Sequence, residues 1–189
     1  MLELFLYRGQ YQLGTYDALY SDGARYVPLV TAFKELKPKL PAVHEVLVLG
    51  TGLASAVQIL DKKGFHPAFT LVENDVTVLN WAMELLPDKL KENIKPVCED
   101  AELYMQQQSN SYDLLVVDVF INRVVPPFVT AIPFLNKCRR SINPGGHFVL
   151  NYIVNSNEEW KLASANINEV FPSSHVIDRG INKIVIAPV

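Results

Sequence analysis

The chain has no excess of basic residues, few cysteines and no apolar run of membrane-spanning length. Lysine and arginine number 17 against 20 aspartates and glutamates, a net charge of −3. The electrostatic footprint of a polyanion-binding surface is therefore missing, and no nucleic-acid partner is indicated. Apolar stretches stop well short of the roughly 20 residues that a transmembrane helix needs. Met1 to Leu6 carries neither a basic leader nor a small-residue cleavage site, so a soluble, cytoplasmic protein with no membrane partner is expected. Cys98 and Cys138 lie far apart in apolar contexts, without metal-type spacing. A buried, reduced thiol is expected of each, and no metal site. Internal repeats and low-complexity linkers are also lacking. A chain of 189 residues with 49% hydrophobic and 20% charged side chains can instead close one core of ordinary size.

From Val43 onward, β-type runs alternate with helix-type segments. EVLVLG (45–50) reads as a buried strand, and LASAVQILDKKG as the helix after it. AFTLVE (68–73) is a second strand, with Asp75 near the start of a helix over 75–87. IKPVCE (94–99) contains Pro96, which removes a ladder donor and suits an edge strand. A helix over 101–110, a central strand YDLLVVDVF (112–120), a helix from Pro127 to Asn143 stopped by PGG, and a strand HFVLNYIV (147–154) follow. Asn155-Ser156-Asn157 marks the N-cap of a helix, and SSHVID and KIVIAP read as two strands joined by a turn too short for a parallel crossover. The pattern predicts an α/β fold: a doubly wound, mainly parallel, seven-stranded Rossmann-like sheet with an antiparallel last strand. LELFLY and YQLGTYDALY, separated by Arg8-Gly9-Gln10, read as a small hairpin, and Leu29 to Leu36 as a lead-in helix. Residues 1–40 are therefore taken as an N-terminal β-extension and 41–189 as the ligand-binding domain.

In such sheets ligands settle beyond the carboxyl ends of the strands, where the strand order reverses. Gly50 and Gly52 follow the first strand there and let backbone amides approach a ligand. Glu73 ends the second strand roughly 20 residues after Gly52, the offset at which a carboxylate reaches a ribose diol. Glu99-Asp100-Ala101 follows the third strand. There an acid can accept from an exocyclic amine and the next amide can donate to a ring nitrogen, while Asp100 also suits an N-cap. Asp118 ends the LLVV run, at the position facing the reacting end of a ligand.

VLVLGTG, LVEND, CEDA, YDLLVVDVF and LNKCRRSINPGGHFVLNY, in that order and spacing, resemble the class I S-adenosylmethionine-dependent methyltransferase fold, in its spermidine synthase-like branch. The similarity runs from about Leu19 to Val189. The resemblance implies a cofactor site for S-adenosylmethionine or its decarboxylated form. Gly50, Thr51 and Gly52 would lie under the methionine part, Glu73 and Asn74 at the ribose, Asp100 and Ala101 at the adenine, and Asp118 beside the sulfonium. Asp118 and Tyr20 are the implied catalytic residues.

Three departures bear on the reaction. The polyamine enzymes of that branch carry an Asp-Gly pair where this chain has Leu53-Ala54, and a second aspartate where it has Ile121. Their Tyr-His-Glu stretch is Tyr20-Ser21-Asp22 here. A diamine needs carboxylates at both ends. The expected function is therefore an S-adenosylmethionine-binding transferase, a methyltransferase on an unidentified small-molecule acceptor, with a homodimer left open. The alternatives are an aminopropyltransferase using decarboxylated S-adenosylmethionine, with Tyr20, Asp22 and Asp118 at the amine, and a non-catalytic relative serving as an interaction module. A nicotinamide oxidoreductase fits less well, because the turn lacks a third glycine in its usual place.

Overall fold

The structure is a computed structural model and describes residues 2–15 and 19–189. Strands β1 (Glu3–Tyr7) and β2 (Gln10–Gly14) form an antiparallel hairpin around Arg8 and Gly9, and β3 (Leu19–Ser21) pairs with β2. Sequence patterning predicts two strands here. The structure has three, because the second predicted strand is divided between β2 and β3, with a register shift at Leu13/Gly14. Tyr16, Asp17 and Ala18 of that predicted strand lie outside the described residues.

Helix α1 (Val27–Glu35) follows, with a proline in its first turn, where the missing N–H costs nothing. The chain then runs through β4 (Glu45–Leu49), α2 (Ser55–Lys62), β5 (Ala68–Glu73), α3 (Val76–Leu85), α4 (Asp88–Lys91) and β6 (Ile94–Cys98). After these come α5 (Ala101–Gln107), β7 (Tyr112–Val117), α6 (Ile132–Arg140), β8 (Ile142–Ile153), α7 (Asn157–Val170), β9 (His175–Arg179) and β10 (Asn182–Pro188).

Among the described residues, seven strands form one sheet in the order β6-β5-β4-β7-β8-β10-β9. Pairing is parallel from β6 to β8, and β10 runs antiparallel to both of its neighbours. The architecture is the predicted one, with β6 at an edge as Pro96 requires. Strand order reverses between β4 and β7, which places the crevice at the tips of β4, β5 and β7.

The period-2 alternation of the strands sends side chains to two cores. Leu47, Leu49, Leu115 and Val117 pack beneath α5, α6 and α7, whereas Val46, Val48, Leu114 and Val116 pack beneath α1, α2 and α3. Phe33 of α1 is fully buried on the second face, so the lead-in helix is part of the covering layer. At about 25 cal/mol per Å2 of apolar surface, such residues each contribute on the order of 2 kcal/mol.

Three expectations need correction. The helix predicted from Pro127 to Asn143 is broken: a 3-10 turn covers Pro127–Thr130, Ala131 is extended, and α6 ends at Arg140. Pro133 cannot lie inside a continuous helix without clashing with the carbonyl four residues back. Secondly, the Pro-Gly-Gly segment does not separate helix from strand. It lies inside β8, whose Ile142 already pairs with Tyr112, and Gly145 (φ +84°) donates to the Val189 carbonyl at 2.7 Å. Thirdly, Cys138 is buried as expected but Cys98, on the edge strand, is exposed.

Candidate functional site

Three strand tips are tied together by backbone hydrogen bonds. Gly50 N–H donates to the Val72 carbonyl at 3.0 Å, and Asp118 N–H donates to the Leu49 carbonyl at 2.8 Å. Gly50 adopts φ +82°, and a Cβ there would fall 2.3 Å from the Asp118 carbonyl oxygen, so only glycine fits. The left-handed backbone recurs at Gly52 and, at φ +56°, at Ala54 before α2. At Ala54, where the resemblance places a glycine, an L side chain carries a modest strain.

The shape of this loop depends on Glu73. Its Oε2 accepts from the amides of Thr51 (3.1 Å) and Gly52 (3.2 Å), and its Oε1 accepts from Asp75 N–H (3.2 Å). Burial pushes the Glu73 carboxyl above its usual range, opposed by these same amides. Asp75 takes the N-cap of α3, accepting from Thr77 and Val78, so the cap does not draw on the Glu73 carboxylate. Asp100 caps α5 through one oxygen, Oδ1, which accepts from the Glu102 and Leu103 amides. Thr51 directs its hydroxyl to the Val72 carbonyl at 3.1 Å and contributes its amide to Glu73.

Asp118 follows β7 directly, and the strand's end at Val117 falls three residues short of the predicted one. Its Oδ1 accepts from Asn151 Nδ2 at 2.8 Å and from the Tyr26 hydroxyl at 3.3 Å. Asn151 Nδ2 also lies 3.2 Å from that hydroxyl, and Asn182 Nδ2 donates to Asn151 Oδ1 at 2.9 Å. Burial pushes the Asp118 carboxyl up to about 7; the bonds from Asn151 and Tyr26 pull it down, and the charge of Glu73 adds to the rise. Desolvation, then the neighbouring Asp118, also holds the Tyr26 hydroxyl well above the ordinary range. Sequence reasoning missed Tyr26, Asn151 and Asn182. One signal was available for Asn151: an amide within the apolar run FVLNYI, which cannot be buried without partners.

A cavity of ≈ 370 Å3 opens between these tips. Gly50, Gly52, Glu73, Asn74, Asp100, Ala101, Asp118 and Tyr20 line it, while Thr51 stands behind them, buried. Its acidic lining comprises Glu73, Asp75, Glu99, Asp100 and Asp118, with no lysine, arginine or histidine among the described lining residues. The N-terminal extension forms one wall through Leu2, Leu13 and Thr15. Ser21 anchors that extension to the glycine loop: its Oγ lies 2.6 Å from Ser55 Oγ and accepts from the Leu53 amide at 3.1 Å. Leu53 is buried against Leu13 and Val78, whereas Ile121 is exposed.

The fold is the class I S-adenosylmethionine-dependent methyltransferase architecture, which spermidine synthases share. A probable spermidine synthase from Corynebacterium glutamicum superposes with a TM-score of 0.80 at 19% identity, over 99% of this chain and 76% of that one. Human methyltransferase-like protein 13, in complex with SAH, gives 0.70 at 20% identity, over 86% of this chain and 79% of the other. In sequence, the chain is 28% identical over 142 residues to an N-terminal histidine N-methyltransferase of Emericella nidulans, covering 72% of this chain and 25% of that protein. It is also 28% identical over 106 residues to a polyamine aminopropyltransferase of Clostridium botulinum, covering 54% of this chain and 34% of that one. The chain thus spans about a quarter to a third of the length of these curated relatives. No protein-family model matches the chain. Among the described residues, no helix is long and apolar enough to cross a membrane.

Proposed function

We propose that the chain binds S-adenosylmethionine in the ≈ 370 Å3 cavity and transfers its methyl group to a small acceptor. The observation that carries this reading is the charge of the lining: five carboxylates and no basic side chain among the described lining residues. Such a cavity favours a cationic sulfonium and disfavours the pyrophosphate of a dinucleotide. The residues suit the cofactor. Two amides fill Glu73 Oε2, whereas Oε1, with one, keeps a lone pair for a ribose hydroxyl, and Asp100 caps α5 through one oxygen, leaving the other for an adenine amine. The two named complexes fit the same reading: methyltransferase-like protein 13 with SAH, and a spermidine synthase with the transition-state analogue AdoDATO.

When bound, S-adenosylmethionine supplies an electrophilic methyl carbon on a sulfonium. The chain's own contribution is to position groups and hold a proton. Asp118, pushed up to about 7, exchanges a proton near neutral pH, as a group accepting one from an oxygen or nitrogen nucleophile must. Tyr26 and Asn151 fix its orientation.

Aminopropyl transfer is the second reading, supported by the superposition on the probable spermidine synthase. Opposing it, Asp22 is already paired with Arg25 at 3.0 Å, and Leu53 places a buried aliphatic side chain where those enzymes carry an acid. Calorimetric titration with S-adenosylmethionine, its decarboxylated form and NAD separates the readings. S-adenosylmethionine should bind and NAD should not. Tighter binding of the decarboxylated form would favour aminopropyl transfer, and binding of none would leave an interaction module.

A further inference from the structure

A second cavity, of ≈ 250 Å3, adjoins the first: Leu19 and Arg123 line it, and their chain neighbours Tyr20 and Asn122 line the other. Its charged lining has the opposite balance, two arginines, Arg25 and Arg123, against the single acid Asp22. Asp22 is paired within the protein through one oxygen. Its Oδ1 accepts from Arg25 Nη2 at 3.0 Å and from Gln12 Nε2 at 2.9 Å, and Arg25 Nη2 also donates to the Tyr7 carbonyl. Arg123 is different. Its backbone carbonyl is held by Asn155 Nδ2 at 3.0 Å, but the guanidinium of this half-buried residue has no ion pair or hydrogen bond among the described residues. A planar fork of donors at a cavity wall matches a carboxylate or a phosphate.

The cavity is also linked twice to the carboxylate that faces the first. Tyr26 lines it and donates to Asp118, and Asn182 lines it and donates to Asn151, which donates to Asp118 in turn. Val27, Pro28, Ile153 and Ile181 supply apolar wall, so the space suits the organic body of a ligand as well as its charged head.

We infer that this second cavity seats the acceptor, and that the acceptor is a small organic anion, a carboxylate or a phosphate monoester, whose charged head docks on Arg123. Naming the occupant as the acceptor rests on the transferase reading; the anion seat does not. The sign of the site also accounts for Leu53 and Ile121 standing where a diamine site carries acids. Arg123 repels an ammonium.

Benzoate, phenyl phosphate and benzylamine share one apolar body and differ in the head, which makes them suitable probes. Each is titrated at low salt into the methyl-labelled full chain, with and without SAH, following the Ile153 and Ile181 methyl signals. One or both anions should shift those signals and benzylamine should not, the stronger anion naming the head. Arg123→Ala should weaken the anion by about tenfold or more, and Arg123→Lys, which keeps the charge but loses the fork, by less. Absence of any anion-induced shift, equal binding of benzylamine, or an Arg123→Ala protein within about twofold of wild type would overturn the inference. A parallel S-adenosylmethionine titration separates the two readings. If it shows no binding while the anion result holds, the transferase reading falls and the anion seat stands; the reverse pattern removes the seat and keeps the transferase.

Discussion

A methyl group added to Gly50 would sit 2.3 Å from the carbonyl oxygen of Asp118, well inside van der Waals contact. The loop after β4 and the end of β7 are thus in contact through the one residue type that allows it. Gly50→Ala should destabilise the chain by about 2–4 kcal/mol, from left-handed strain and displaced backbone together. Urea denaturation measures this, and a loss below about 0.5 kcal/mol would show that the β7 end yields freely.

Glu73 holds the glycine loop as well as facing the cavity. Glu73→Ala should weaken S-adenosylmethionine binding by about 1.5–3 kcal/mol, the scale of hydrogen bonds to a charged group. Unchanged affinity with an intact circular-dichroism spectrum would mean that the ribose is held elsewhere.

Asp118 should make stability depend on pH. Its folded carboxyl is raised to about 7, whereas an unfolded aspartate titrates near 3.9. Between these values the native state binds the extra proton. The stabilisation is therefore complete below pH ~4 and is lost as pH rises through about 7. Asp118→Asn removes the dependence while keeping acceptors for Asn151 and Tyr26. Its melting temperature relative to wild type should rise from pH 5 to pH 8.5, by an amount worth about 1–3 kcal/mol. A constant difference across that range would place the titration elsewhere.

Cofactor affinity should run the other way with pH. An ionised Asp118 favours a neighbouring cation, so S-adenosylmethionine should bind more tightly at pH 8 than at pH 6, while SAH, whose thioether is neutral, should change less. Parallel pH profiles for the two ligands, measured by calorimetry, would remove Asp118 from the sulfonium's side.

Aminopropyl transfer to putrescine should be absent or very slow. An ammonium left unpaired in a partly apolar pocket costs several kcal/mol, and Asp22, which stands where the polyamine enzymes carry the glutamate of Tyr-His-Glu, is already paired with Arg25. Mass spectrometry for spermidine after incubation with decarboxylated S-adenosylmethionine and putrescine gives the answer. Robust turnover that Asp118→Asn abolishes would favour the aminopropyl reading.

The strand tips were legible because alternating periodicities locate them without any tertiary knowledge. Glu73, Asp100 and Asp118 each end an apolar run or follow one closely. The partners of Asp118 were not legible. Tyr26 is 92 positions from Asp118, and the hydrogen-bonded Asn151 is 125 from Tyr26, so only the folded sheet brings them together. Local reading also failed at Pro127 to Asn143. Helical composition continues through that stretch, but Pro133 and the pairing of Ile142 with Tyr112 decide where the helix can exist. The second cavity is another product of folding, because Arg25, Arg123 and Asn182 come from three distant parts of the chain.

The contact of Ser21 with Ser55 and the Leu53 amide limits how modular this protein is. The N-terminal sheet reads as a separable accessory, an obvious piece to exchange. Yet one of its side chains shapes the glycine loop, so a graft cut between β3 and α1 would alter that loop together with the exchanged sheet. A chimera that leaves the loop intact must keep Ser21 with the receiving body, which moves the practical boundary for recombination to the N-terminal side of β3.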